Sequence, residues 1–194
     1  MPLPGTRRTI LTSPPPGDLD IGPHNGRLRL RTYRRGLAAR AGHDLVLEAA
    51  SWSGRVHLPA EQGAAASVEV EIDLRRIDVV EGTGGARPLS ERDKADIRTA
   101  MQKSLRTGSH PVARFTSSRV QLDGDEATVV GDLFLCGRTR PIELAARRAP
   151  GGTIVGSAQV VQTAWGITPY AGLLGALKLR DAVDLEGELH LPVP

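Results

Sequence analysis

The sequence predicts a mainly β fold, an eight-stranded antiparallel barrel with one α-helix inserted between strands and a short lid-like segment. Three observations support this prediction. Apolar and polar residues alternate in several separate stretches, which is the period of a half-buried strand. Turn signals such as Asp-Gly-Asp and Gly-Gly separate these stretches. One stretch follows instead the spacing of an amphipathic helix, which indicates a barrel with a helical side-piece.

The chain of 194 residues suits one domain with an apolar core. Residues 1–25 are rich in Pro, Gly, Ser and Thr, and they include the run Pro14-Pro15-Pro16. This composition favours an extended chain, so we predict a flexible N-terminal arm before a barrel domain at residues 26–194. Eight strands are predicted in that domain, near residues 27–33, 45–58 with a bend at 51–54, 68–74, 113–117, 129–135, 142–146, 154–160 and 183–189.

The predicted helix begins after Ser90, whose hydroxyl is suited to cap the first turn. Ile97, Met101 and Leu105 follow at four-residue spacing and therefore share one face. Gly108 ends the helical pattern. The helix thus falls between the third and fourth predicted strands and offers one apolar side to the barrel.

Residues 165–179 form an apolar stretch that three glycines and a proline interrupt, so neither a strand nor a long helix suits it. We predict a lid at the mouth of the barrel, with Leu173, Leu174 and Leu177 over the opening and glycines that allow it to move. The alternative is a loop that packs over the end of the barrel without a gating role.

Composition and charge narrow the classes of partner. The formal net charge is +3, from 25 basic and 22 acidic residues, and this near-balance does not predict a nucleic-acid partner.

Cys136 is the only cysteine, so no intrachain disulfide is available, and we expect an inert thiol. We see neither a membrane-spanning apolar run nor a signal peptide and expect a cytoplasmic protein. The oligomeric state stays open, a homodimer included.

The adjacent pair His43 and Asp44 is the best candidate for catalysis. Neighbouring side chains on an extended strand point to opposite faces, so hydrogen bonds that fix a turn are the favoured interpretation. The other histidines lack metal-ligand spacing, and we expect no metal, no cofactor and no enzymatic activity. Two alternatives stay open. One is an enzyme that uses His43 or Asp44 as acid or base, and the other is an interaction module using the arginine-rich first strand or the N-terminal arm.

Six segments, in order, resemble the YceI-like family, whose members are lipocalin-like, polyisoprenoid-binding barrels. The hairpin pattern Val-x-Gly-x-Leu-x-Leu-x-Gly-x-x-x-Pro-Ile at residues 129–142 is the most informative segment. The others are Gly42-His43-Asp44-Leu45 with Trp52-x-Gly54-x-Val56, Val68-x-Val70-x-Ile72, Arg92-Asp93-Lys94, His110-Pro111-x-x-x-Phe115-x-Ser117 and Trp165-Gly166-Ile167. The resemblance spans about residues 26–192 and implies a barrel that holds an isoprenoid chain in its lumen, with no catalytic residue.

The resulting hypothesis is a barrel that binds an isoprenoid or other long-chain amphiphile, such as a polyprenyl quinone, for carriage, storage or sequestration. Few aromatic residues and many short aliphatic ones favour a hollow, apolar interior. The residues expected to line this interior are Leu28, Leu30, Leu45, Leu47, Val68, Val70, Ile72, Phe115, Leu133 and Leu135, with Trp165 and Leu173 near the mouth.

Overall fold

The computed structural model describes residues 16–61 and 64–190. These residues form the strands β1 (Gly17–Ile21), β2 (Gly26–Thr32), β3 (Arg34–Arg35), β4 (His43–Ala49), β5 (Trp52–Leu58), β6 (Ser67–Asp73), β7 (Ile77–Gly84), β8 (Val112–Asp123), β9 (Glu126–Leu135), β10 (Arg138–Arg148), β11 (Thr153–Val161), β12 (Ala171–Gly172), β13 (Leu177–Leu179) and β14 (Ala182–His190). One α-helix, α1 (Glu91–Ser104), lies between β7 and β8.

Eleven of these strands form one antiparallel sheet in the order β1-β5-β6-β8-β9-β10-β11-β14-β2-β4-β7. Only residues 50–51 separate β4 from β5 along the chain, yet these two strands lie near opposite ends of the hydrogen-bonded order. Because consecutive Cα atoms are about 3.8 Å apart, the sheet must curl until the end of β4 lies near the start of β5. The fold is therefore mainly β, with one helix and a curled antiparallel sheet.

The sheet contains eleven strands where the sequence predicts eight. The predicted segment 45–58 divides into β4 and β5, at a bend close to the predicted one. A short 3-10 turn (Leu74–Arg76) follows β6, after which the chain continues as β7, a strand that the sequence does not predict. The third additional strand is β1, which pairs with β5. The predicted flexible arm is therefore wrong for Gly17–Ile21, whereas residues 1–15 lie outside the described residues.

The predicted helix is confirmed. Ser90 accepts a hydrogen bond from the Asp93 amide, and the Asp93 carboxylate accepts one from the Ser90 amide, so both ends of a capping box are formed. Ile97, Met101 and Leu105 are partly buried and pack against the main apolar core. The helix thus covers the curled sheet with the face that the sequence predicts.

The predicted hairpin at residues 129–144 is formed by β9 and β10. Cys136 and Gly137 connect these strands with φ values of 51° and 80°, and two positive φ angles in succession suit a tight two-residue turn. Gly131 lies opposite Ser117 on β8, where an added Cβ would stand 2.4 Å from the Thr116 carbonyl oxygen. Only glycine allows the two strands to approach this closely.

Candidate functional site

A cavity of about 670 Å³ lies inside the curled sheet. Side chains from β2, β4, β6, β7, β8, β9, β10, β11 and β14 line it, together with α1, Leu74 and the segments 41–43, 86–89 and 167–179. Most of these side chains are Leu, Ile, Val or Ala. The volume is typical of a site that encloses a small organic ligand, and the wall chemistry suits an apolar one.

Two glycines face each other on one wall of the cavity and leave the space in front of them free of side chains. Gly156 on β11 and Gly187 on β14 are cross-strand partners, and both line the cavity. An added Cβ on Gly156 would find its nearest atom at 3.7 Å, and one on Gly187 would find Leu28 Cδ2 at 3.5 Å. Both positions could therefore accept a side chain, and the space in front of them belongs to the cavity. A glycine inside an otherwise apolar strand is the sequence signal for such a position.

Nine of the twelve residues predicted to form the site lie on the wall of this cavity. They are Leu28, Leu30, Leu45, Leu47, Val70, Ile72, Phe115, Leu133 and Leu135. All nine occupy inward positions that follow from strand alternation, so the predicted register places them correctly.

The other three predicted residues lie elsewhere. Val68 is near the start of β6 and packs against the apolar core beyond the reach of the cavity. Trp165 is buried in that core, where its indole Nε1 donates a hydrogen bond to the Leu133 carbonyl oxygen at 3.2 Å. Leu173 is 59% exposed and does not line the cavity, because it stands in a turn with a positive φ of 48°.

The predicted lid segment forms a small sheet beside the cavity. β12 pairs with β13, and β13 pairs with β3, so hydrogen bonds tie the segment to the chain after β2. Leu177, Leu179 and Tyr170 line the cavity, whereas Leu174 is fully exposed. The placement of Leu177 agrees with the prediction, and the placement of Leu173 and Leu174 over the opening is wrong. Movement of this segment stays a prediction.

One polar group on the cavity wall has no hydrogen-bond partner among the described residues. Thr32, the last residue of β2, is only 7% exposed, and its hydroxyl is buried. A buried hydroxyl without a partner is unfavourable, so a partner that reached it from the cavity would stabilise it. The sequence places Thr32 on the inward face but gives no signal that its hydroxyl would lack a partner.

The two residues of the candidate catalytic pair make hydrogen bonds to different neighbours. His43 lines the cavity, and its Nε2 lies 2.8 Å from the Arg87 carbonyl oxygen. The Asp44 carboxylate accepts a hydrogen bond of 2.8 Å from the Arg34 amide. His43 thus fixes the loop after β7, and Asp44 fixes the start of β3. Hydrogen bonds of this structural kind are the interpretation favoured from sequence. Within residues 16–61 and 64–190, no group of three or more His, Cys, Asp or Glu side chains is placed to hold a metal ion.

Two further groups near the cavity have shifted pKa values for structural reasons. The hydrogen bonds from Ser90, together with Arg87 nearby, lower the pKa of the Asp93 carboxyl to about 2. Burial raises the pKa of the Cys136 thiol, although Arg106 opposes the shift. The buried thiol donates to the Leu105 carbonyl oxygen at 3.1 Å, in agreement with the unreactive cysteine expected from sequence.

Two arginines of the first predicted strand form ion pairs with glutamates on neighbouring strands. Arg29 pairs with Glu48 at 2.8 Å, and Arg31 pairs with Glu186 at 2.6 Å, in both cases across to a neighbouring strand. Cross-strand pairs of opposite charge stabilise a sheet surface. These arginines therefore do not form a free basic stripe for an acidic partner.

Comparison with known proteins identifies the family. The model of the YceI-like domain matches residues 38–191, which is most of the chain. The chain belongs to the YceI-like family. Protein YceI of Escherichia coli O157:H7 is 39% identical over 84 residues, which cover 43% of this chain and 38% of that protein. The alignment with such curated YceI-like relatives thus spans less than half of their length.

Solved structures of YceI-like and related proteins share the fold. Burkholderia cenocepacia BcnA superimposes with a TM-score of 0.62, at 16% identity, over 84% of this chain and 94% of that chain. The Campylobacter jejuni YCEI protein gives a TM-score of 0.51, at 14% identity, over 74% of this chain and 81% of that chain. At such identities the similarity extends to the fold alone. Among the described residues of this YceI-like chain, no helix is long and apolar enough to cross a membrane.

Proposed function

We propose that this YceI-like chain binds an isoprenoid or similar amphiphilic lipid in the cavity, for carriage, storage or sequestration. The observation that carries the proposal is the aliphatic wall of a cavity of about 670 Å³. Each five-carbon isoprene unit that enters would contribute up to about 4 kcal/mol, from about 0.8 kcal/mol per buried carbon group and before the cost of association. A few units therefore suffice for tight binding.

The polar group of the ligand is proposed to meet the Thr32 hydroxyl. Thr32 lines the cavity, and its hydroxyl is buried and has no partner among the described residues. Ala41 and Tyr170, both exposed, also line the cavity, so it reaches solvent at the end of the sheet where β2 terminates. A lipid with an oxygen-bearing head near Thr32 and a hydrocarbon tail along the strands would match both features.

The proposed role is binding without catalysis. His43, the titratable side chain on the cavity wall that the sequence singles out, is held by the Arg87 carbonyl oxygen. Asp44 contacts Arg34 instead of the cavity. A general acid or base must reach the reacting atom within hydrogen-bond distance, and this pair does not point at a common position.

Native mass spectrometry of the purified protein, followed by extraction and identification of released lipid, tests the proposal. A prenyl lipid that co-purifies or is taken up when added would support it. The variant Gly156→Leu fills the cavity, and we expect it to fold and to lose uptake at least tenfold. The matched control is Gly108→Leu, because Gly108 has no atom within 4 Å of an added Cβ and does not line the cavity.

An empty wild-type protein that takes up no added prenyl lipid would contradict the proposal. Unchanged uptake by a folded Gly156→Leu variant would contradict the lumenal site, because the leucine would stand where the tail is proposed to lie.

A further inference from the structure

Three leucines are exposed on two adjacent turns next to the cavity. Leu37 and Leu174 are fully exposed, and Leu173 is 59% exposed. The Ala38 amide donates a hydrogen bond of 3.0 Å to the Ala176 carbonyl oxygen, which holds the two turns together. Exposed leucines that cluster at one place, unlike single scattered ones, indicate an interaction surface.

Two of these leucines are held outward by an unusual backbone conformation. Leu173 and Leu174 have φ values of 48° and 55°, in the left-handed region that residues other than glycine rarely adopt. Two consecutive residues in this region are costly, and such strain persists where the surrounding structure imposes it, often at binding sites. The hydrogen bonds of β13 with β12 and β3 fix the turn on both sides.

The surface around the leucines is positively charged, although the chain as a whole is nearly balanced. Residues 33–42 and 170–180 include no acidic residue, and their five basic residues are Arg34, Arg35, Arg40, Lys178 and Arg180. The nearest acidic residues in sequence are already engaged, since Asp44 accepts from Arg34 and Asp181 accepts from Thr163. Arg35, Arg40, Lys178 and Arg180 are exposed.

We infer that this surface, defined as residues 33–42 and 170–180, docks on a bilayer that contains anionic lipids. The leucines would enter the interfacial region, while the basic side chains would contact the headgroups, which is the arrangement of known interfacial anchors. Charge complementarity favours this occupant over a second copy of the chain, because two identical basic surfaces repel each other.

The docking surface lies beside the cavity entrance, so docking would have a role in lipid transfer. Ala41 and Gly42 from one segment, and Tyr170, Leu177 and Leu179 from the other, line the cavity. Docking would therefore hold the cavity entrance against the membrane, so that an amphiphile could pass between bilayer and cavity with little exposure to water. This purpose rests on the proposed lipid-binding function, whereas the docking itself does not.

Co-sedimentation of the full chain with vesicles tests the inference, with 30% phosphatidylglycerol in phosphatidylcholine, or phosphatidylcholine alone, and no prenyl lipid. We expect binding to the anionic vesicles, weakened at least tenfold on neutral vesicles or in high salt. The variant L173S/L174S should bind more than tenfold more weakly, because two leucine side chains no longer enter the bilayer. Its control is Leu122→Ser, since Leu122 is 64% exposed and lies at the opposite end of the sheet, beside the β8–β9 turn.

A second pair of variants tests whether binding depends on the basic residues of this surface or only on the net charge of the protein. R40Q/K178Q should weaken binding at least tenfold, whereas R119Q/R147Q, with the same change in net charge on exposed strand positions, should weaken it much less. Absence of wild-type binding, or equal losses in the matched controls, would overturn the inference. A dimer that L173S/L174S converts to a monomer would also overturn it, because the leucines would then form an interface between copies.

The variant Gly156→Leu distinguishes failure of docking from failure of the proposed function. It fills the cavity without altering the docking surface, so it should bind vesicles like wild type. Loss of vesicle binding in this variant would contradict the inferred surface, whatever the outcome of the lipid-uptake experiment.

Discussion

Replacement of Thr32 by Val tests the cavity and its polar contact in one variant. The two side chains have nearly the same shape, so the substitution replaces the hydroxyl by a methyl group and leaves the packing largely unchanged. Because Thr32 is 7% exposed and its hydroxyl has no partner among the described residues, the wild-type protein without ligand carries a desolvation penalty of about 1–3 kcal/mol. We expect Thr32→Val to raise the free energy of unfolding by that amount.

The thermal midpoint of the ligand-free protein should therefore rise. For a chain of this size, 1 kcal/mol corresponds to about 2–4 °C, so a rise of about 2–12 °C is expected. Scanning calorimetry of delipidated protein measures it. Thr32→Ser serves as the control, because serine keeps the hydroxyl and loses only a methyl group.

The same variant should weaken binding of an oxygen-bearing lipid. A hydrogen bond contributes about 0.5–1.5 kcal/mol net, so the affinity for a prenyl quinone should fall about two- to tenfold. Affinity for an isoprenoid hydrocarbon of equal length should stay the same. A variant that is less stable than wild type without ligand would show that the hydroxyl is satisfied and would refute the reasoning. Equal effects on both lipids would refute the proposed position of the head.

Three further predictions concern the framework of the site. Gly131→Ala should destabilise the protein by about 1–3 kcal/mol in denaturant titration, because its Cβ would overlap Thr116, whereas Gly156→Ala should change stability by less than about 0.5 kcal/mol. Trp165→Phe should cost about 2 kcal/mol through the lost hydrogen bond to Leu133 and the space left by the smaller ring, and a cost near zero would contradict its anchoring role. The pKa of Asp93 is lowered, so its contribution to stability is complete above about pH 4 and is lost as the pH falls towards about 2. The Ser90 amide resonance should follow that titration with a midpoint near 2, and a midpoint near 4 would contradict the capping box.

The strands and the helix were predictable because local patterns encode them. Alternation in β2 and β6 identifies the inward face, and nine of the predicted lining residues lie on the cavity wall for that reason. The cap at Ser90 and the two-residue turn at Gly137 are equally local features. The main errors occur where pairing depends on distant residues. In β1 the alternation covers only Asp18–Ile21, and this short segment becomes a strand because β5 is available to pair with it.

The candidate site illustrates the same division. Trp165 and Leu173 were both predicted near the mouth from their apolar character, yet one fills the core and the other is exposed. Apolar character alone does not determine burial, since the turn at residues 173–175 directs its leucines outward through backbone angles that other parts of the chain impose. The missing partner of Thr32 is likewise a property of its surroundings.

By itself the sequence determined the mainly β class, the single capped helix, the inward residues of most strands and the membership of a family. The tertiary structure decided how far the sheet curls, where the cavity lies between its strands and which exposed side chains gather beside the entrance. The reason is physical. Periodicity and turn chemistry act over a few neighbouring residues, whereas the volume of a cavity and the charge of a surface depend on segments such as 33–42 and 170–180 that the fold brings together.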